Sequence, residues 1–276
     1  MVRMNIETLV NEIKHVTGAG VEVYATEIQK GNVTLTGIVI GNGEVRPTAY
    51  VENYENMFTG CNYTAVATKI VKDAREAMKE NNLPNKGVHT SYAYAKTHFQ
   101  LCIAPKGTNV GLVTYPYLDL TLYVRVMVEN PCVNKGFIGS YKVTANMLNY
   151  WKISKETLFH MALDCTKPTY ECISMAEEFG FPTPVPMIIV SNQDKNYGAS
   201  VMYCKEILKG ITDKFDDDLI ILPSSIHEII VIPASTIDIE EMSEMVTMIN
   251  ATDVDPTEVL SDHAYIFHRD TMEITY

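Results

Sequence analysis

Ser225, His227 and Glu228 place a hydroxyl, an imidazole and a carboxylate within four residues of the stretch LIILPSSIHEIIVIP, residues 219–233. A hydroxyl and an imidazole are the residue types that serve as nucleophile and base in hydrolases. On a strand, Ser225 and His227 share one face and Glu228 takes the other. Neighbours on that face stand ~6–7 Å apart along the strand, too far for a hydroxyl–imidazole bond without a kink. The competing reading is structural. Pro223-Ser224-Ser225 makes a turn whose hydroxyls satisfy backbone groups, and His227 is a half-buried strand residue. A second cluster is Asp262-His263 with His268. Five apart on one strand, His263 and His268 face opposite sides and cannot chelate one metal together unless a bulge intervenes. Contact between His227 and His263 across a sheet would join the two clusters. The catalytic candidates are therefore Ser225, His227 and His263, and the binding candidates are Ser224, Glu228 and Asp262.

Familiar motifs are missing around them. His227-Glu228-Ile229-Ile230-Val231 begins like HExxH, but the second histidine is replaced by Val231 and the β-branched run favours a strand over the helix that motif needs. There is no GxSxG elbow. Asp216-Asp217-Asp218 lacks the alternating acids, glycine and distant glutamate of a calcium loop and reads as a solvated loop. Gly18, Gly20, Gly41 and Gly43 stand in turns outside any nucleotide fingerprint. The six cysteines (Cys61, Cys102, Cys132, Cys165, Cys172, Cys204) show no CxxC or CxH spacing and read as reduced, mostly buried thiols. No metal and no cofactor is expected.

The elements that must position these residues follow from periodicity. Ile6, Leu9, Val10, Ile13 and Val16 define a first helix that Gly18 and Gly20 stop. VEVYATEI, NVTLTGIVI and VRPTAYVEN read as a three-stranded meander. A helix follows with Val66, Ile70, Ala74, Ala77 and Met78 on its apolar stripe, ended near Pro84. PNKGVHTSYAY is linker-like. HFQLCIAPKGTNVGLVTY reads as a hairpin turning at Lys106–Asn109. Leu118 to Glu129 alternates apolar and polar residues over twelve positions, a long strand with one apolar face. Farther on, Ser154 caps KETLFHMALDCT, and YECISMAEEFGF reads as a short helix. PMIIVSN and YGASVMYC read as a hairpin, KEILKGITDKF as a helix, and Asp255 to Asp262 as a short helix. IDIEEMSEMVTMIN is amphipathic, with Ile239, Met242, Met245, Val246 and Ile249 inward and Met248 off the stripe. HAYIFHRDTMEITY closes as a strand pair. The expected fold is α+β, with an N-terminal helix–β-meander–helix unit (1–90) followed by a mostly antiparallel sheet flanked by helices (91–276). LIILPSSIHEIIVIP, apolar on both faces, belongs at the centre of that sheet.

Charge narrows the partners. The net charge of −12 is uneven: residues 1–138 carry 13 basic and 12 acidic residues, and residues 139–276 carry 9 and 22. An acidic surface repels phosphate backbones, so nucleic acid is a poor ligand for the C-terminal half. No run approaches the ~18–20 apolar residues that span a bilayer, and the N-terminus lacks the continuous apolar core of a signal peptide. A cytoplasmic protein is expected.

LIILPSSIHEIIVIP, preceded by NYGASVMYCKEILKGI and followed by SEMVTMINATDVDPTEVLSDHAYIF, resembles an uncharacterised bacterial domain-of-unknown-function family frequent in gut anaerobic Firmicutes. GIVIGNGEVRPTAYVENY, YPYLDLTLYVRVMV and MLNYWKISKETLFHMALD fit the same pattern, while KTHFQLCIAPKGTNV departs from it. The resemblance implies a bacterial cytosolic protein carried on mobile elements, and brings no activity, cofactor or catalytic residue. The leading functional expectation is a non-catalytic binding or regulatory protein, its acidic half meeting a protein partner. The alternatives are a hydrolase using Ser225 and His227 with Asp262 and His263, and an acidic mimic of nucleic acid.

Overall fold

The computed structural model describes residues 3–30, 33–42, 46–80, 90–108, 112–129, 137–180, 182–223 and 225–276, the side chains of 77–80 and 137–138 excepted. Ser224 and the side chains of Ala77 and Met78 therefore lie outside the described residues. The chain forms two compact units, Met1–Lys86 and Gly87–Tyr276.

In the first unit, helix α1 (Ile6–Thr17) starts at Asn5, whose side chain accepts from the Thr8 N–H, and stops at Gly18 with φ 86°. Strands β1 (Val23–Lys30), β2 (Val33–Ile40) and β3 (Thr48–Tyr50) form an antiparallel meander. The third strand is shorter than VRPTAYVEN implies, because Val51–Met57 winds into a 3₁₀ turn. Helix α2 (Tyr63–Glu80) buries Val66, Ile70 and Ala74 against Leu9, Ile13 and Ile38.

The second unit opens with the single turn α3 (Tyr92–Ala95), then β4 (Phe99–Pro105), β5 (Thr114–Tyr117), β6 (Leu120–Glu129) and β7 (Phe137–Lys142). The hairpin expected between β4 and β5 does not form. Both pair instead with β6, giving the order β4-β6-β5, with β7 also on β6. β6 is buried on both faces rather than one. Leu122, Val124 and Val126 enter the main core, while Tyr123 packs with Cys102, Ala104 and Tyr197, and the Tyr197 ring lies 4.2 Å from the Arg125 guanidinium.

Helices α4 (Ala145–Trp151) and α5 (Lys155–Thr166) follow, the latter capped by Ser154 as its sequence implies. Next come β8 (Tyr170–Ser174), the short α6 (Met175–Phe179) and β9 (Ile188–Asn192). YECISMAEEFGF is thus a strand and one helical turn, not a helix. Tyr170 turns inward, its hydroxyl 2.8 Å from Ser200 Oγ, and pairing with β9 overrides local propensity. YGASVMYC is not a strand either. Tyr197 adopts a left-handed φ of 57°, and Gly198–Tyr203 forms a buried 3₁₀ turn.

Helix α7 (Lys205–Phe215), strands β10 (Leu219–Leu222) and β11 (Ile229–Pro233), helix α8 (Ile239–Thr252) and strands β12 (Tyr265–Phe267) and β13 (Ile274–Thr275) complete the chain. Asp255–Asp262 is turn and bridge rather than helix. The second sheet runs β13-β12-β10-β11-β9-β8, every pairing antiparallel. β10 and β11 are the central hairpin that the apolar run implies. One face buries Leu219, Ile221, Ile229, Val231 and Phe267 in the main core, shared with the β4–β7 sheet, α5 and α7. The other packs Ile220 and Ile232 under Met242 of α8. On α8 only Met242, Val246 and Asn250 are buried; Met245 and Ile249, expected inward, are exposed, as is Met248. Asp216–Asp218 is not a simple solvated loop. Asp218 accepts from the Arg269 N–H at 2.8 Å and meets His268 Nδ1 at 3.0 Å, and Asp217 accepts from the Ser235 N–H at 2.8 Å.

Candidate binding site

Ser225, Ile226 and His227 lie in the connection between β10 and β11, not on a strand. Ser225 is buried and bridges Val259. Its Oγ accepts from the His227 backbone N–H at 3.0 Å and does not reach the imidazole. His227 Nδ1 accepts from the Tyr197 N–H at 3.3 Å, and Nε2 faces Glu258 Oε1 at 3.3 Å. An acceptor role at Nδ1 leaves the proton on Nε2, so both ring nitrogens are committed. The His227 carbonyl accepts from the Gly198 N–H and from the Ser191 hydroxyl, each at 2.8 Å. The corner is stitched together by these bonds.

The second cluster divides. Asp262 accepts from Asn250 Nδ2 at 2.8 Å, facing α8. His263 instead places Nε2 3.0 Å from Asp119 Oδ2 and Nδ1 3.1 Å from the Ala264 carbonyl. The Tyr265 hydroxyl donates to Asp119 Oδ1 at 2.7 Å, and burial, ahead of its other influences, raises this phenol far above its ordinary value. His227 and His263 share no partner, and neither ring meets a hydroxyl among the described residues. No nucleophile–base pair forms among Ser225, His227, Asp262 and His263. Asp119 was not legible as a partner, since it lies 144 residues from His263 and the sequence shows it only as an alternating polar position of the long strand, whereas it precedes β6. Among the described residues, no three histidine, cysteine or carboxylate side chains gather as a metal site.

Glu228 is placed differently. It lines a cavity of about 280 Å³ on the face of the second sheet that α8 covers over β10, at the opposite end of that face. Strand register builds the cavity in rows. Ile173, Ile189 and Ile230 are cross-strand neighbours on β8, β9 and β11 and form an apolar floor. In the next row Glu171 stands opposite Ser191, and the β9–β11 register continued by one residue sets Glu228 on the other side of Ser191. Two carboxylates therefore flank a hydroxyl, their backbones ~10 Å apart across two strand spacings. Met175, Glu178 and Phe179 of α6 form a wall, with Asn192 and Lys195 at the end. Lys195 Nζ donates to Glu178 Oε1 at 2.7 Å. That bond raises the ammonium above its ordinary value, followed by the charge of Glu178 and then those of Glu228 and Glu171. Three carboxylates against one ammonium leave the cavity negative.

A family model described as a family of unknown function, DUF5688, matches residues 3–269. The chain belongs to the DUF5688 family. No curated protein and no solved structure matches it. Among the described residues of this DUF5688 protein, no helix is long and apolar enough to cross a membrane.

The cysteines of the DUF5688 chain separate by burial. Cys102 and Cys204 are buried, Cys165 is intermediate, Cys61 and Cys172 are exposed, and Cys132 lies outside the described residues. Fewer are buried than their scattered spacing implied. Burial pushes the Cys102 and Cys204 thiols up to about 12 and raises Cys165 and Cys172 above their ordinary value. Because the thiolate is the reactive form, iodoacetamide at pH 8 is expected, among the five described cysteines, to label exposed Cys61 first and Cys165 and Cys172 more slowly. Cys102 and Cys204 should react only after denaturation. Peptide mapping by mass spectrometry checks this order, and native labelling of Cys102 at the Cys61 rate would refute it.

Proposed function

We propose that this protein is a non-catalytic binding protein that holds a basic segment of a protein partner, in the bacterial cytosol to which its sequence resemblance points. The observation that supports this is the pairing of an isoleucine floor with a carboxylate–hydroxyl–carboxylate row in one cavity. Lysine and arginine have that same two-part character, an apolar stem carrying a charged head. The stem lies over Ile173, Ile189 and Ile230, and the head meets Glu171 and the charge of Glu228. Phe179, 57% exposed at the wall, adds an aromatic surface beside the cation. The acidity of residues 139–276 steers a basic partner toward this unit, an effect that salt screens.

The test is fluorescence anisotropy with a labelled lysine-containing peptide and its counterpart carrying norleucine for lysine. The lysine peptide is expected to bind at least tenfold more tightly, and Glu171→Gln/Glu228→Gln to remove most of that preference. Glu241→Gln/Glu244→Gln, an equal charge change on exposed positions of α8, is expected to leave it intact. Equal binding of the two peptides, or equal effects of the two double variants, would rule the cavity out as the site.

A further inference from the structure

Among the described residues β8 ends the six-stranded sheet, with β9 on one side and no strand on the other. Its register with β9 and the flanking bonds, Met175 N–H to the Met187 carbonyl and Gln193 N–H to the Thr169 carbonyl, fix which backbone groups face inward. Antiparallel bonding alternates, so Glu171, Ile173 and Met175 exchange bonds with β9. The N–H and C=O of Cys172, the C=O of Tyr170 and the N–H of Ser174 turn away from the sheet. None of these four groups meets another backbone partner among the described residues. The same alternation puts the side chains of Glu171, Ile173 and Met175 into the cavity. The free backbone edge and the acid-lined cavity are thus two sides of one strand.

We infer that the basic segment binds as an added strand along β8, pairing with the outward groups of Cys172 and its neighbours while an alternate lysine or arginine side chain enters the cavity. This rests on the cation reading of the cavity and adds the backbone conformation of its ligand. Strand addition divides the work of recognition, with main-chain bonds supplying affinity and pockets for alternate side chains supplying selectivity. An added strand lies ~4.8 Å from β8, which sets its cavity-facing side chains directly beside Glu171 and Ile173, while Glu228, on the far side of Ser191, lies beyond their direct reach and acts on the cation through its charge. Short edges are one way that proteins avoid unwanted pairing. β8, five residues long, admits only a short segment, and the negative cavity beside it selects a basic one. A helical ligand would satisfy the cavity and leave the four backbone groups facing water.

The probe is the acetylated, amidated peptide Thr-Lys-Val-Lys-Val-Lys-Thr, with two forms N-methylated at one or the other set of alternate residues. N-methylation removes backbone donors and keeps every charge. One N-methylated form is expected to bind at least tenfold more weakly than the parent and the other within about twofold, because only one set faces β8. Hydrogen exchange of the full chain is expected to slow at the Cys172 and Ser174 amides when the parent peptide is added. If both N-methylated forms bind like the parent and those amides exchange unchanged, strand addition is overturned while the cation reading stands. If the parent binds no better than its norleucine counterpart, the cavity reading fails and this inference fails with it.

Discussion

Phe267→Ala is expected to destabilise the C-terminal unit by about 3–5 kcal/mol. Phe267 is fully buried in the main core, on a three-residue strand set between β10 and β13. Opposite it in register stand Leu219 and Ile274. Truncation removes the ring's transfer free energy and leaves a void lined by strands that are held by their neighbours and cannot close in. The expected loss is a large fraction of the ~5–15 kcal/mol that stabilises an ordinary domain. Urea unfolding followed by circular dichroism measures it, with Phe267→Leu as the milder comparison. A loss below about 1 kcal/mol would mean that β12 is not part of the core.

Gly198→Ala acts through a different mechanism, at backbone that packs against the cavity residues Ser191 and Asn192. An added Cβ would stand 2.6 Å from the Asn192 backbone nitrogen and 2.7 Å from the His227 carbonyl oxygen, with Ser191 Oγ as near. No side-chain rotation relieves a clash with backbone, so β9 and the β10–β11 connection must separate. Overpacking of this kind costs ~1–3 kcal/mol, and more where backbone has to move. Moving that backbone displaces Ser191 and Glu228 together, so binding of the lysine peptide is expected to fall along with the melting temperature. Gly210→Ala supplies the contrast. Gly210 lies within α7 with open space around its would-be Cβ, so alanine is expected to stabilise the helix by up to ~1 kcal/mol. Equal melting temperatures for Gly198→Ala and wild type would show that the close approach at Gly198 is not needed.

The sequence by itself determined those elements whose signal is local. Periodicity, stops and caps mark α1, α5 and α7, because Gly18, Ser154 and the 3.6-residue stripes act within one or two turns. The double-faced apolar run from Leu219 to Pro233 marks β10 and β11 as central strands, since only a sheet covered on both sides tolerates it. Glu228 was legible as a polar residue beside that hairpin, but not its companions. Glu171 was hidden in a segment whose spacing suited a helix, and Ser191 in a strand whose expected hairpin partner, YGASVMYC, is a 3₁₀ turn, so that its true neighbours are β8 and β11. Tertiary structure alone decided that β4 and β5 pair with β6, that Tyr170–Ser174 is the edge strand, and that His263 meets Asp119 rather than His227. The physical reason lies in what each signal depends on. Side-chain alternation tells which residues share a face of their own strand, whereas strand order depends on which distant backbones find the best common core. Closing a longer loop adds only ~0.6 kcal/mol per doubling of its length, so separation along the chain barely favours one partner over another. The row Glu171, Ser191, Glu228 exists only after three strands have taken their register.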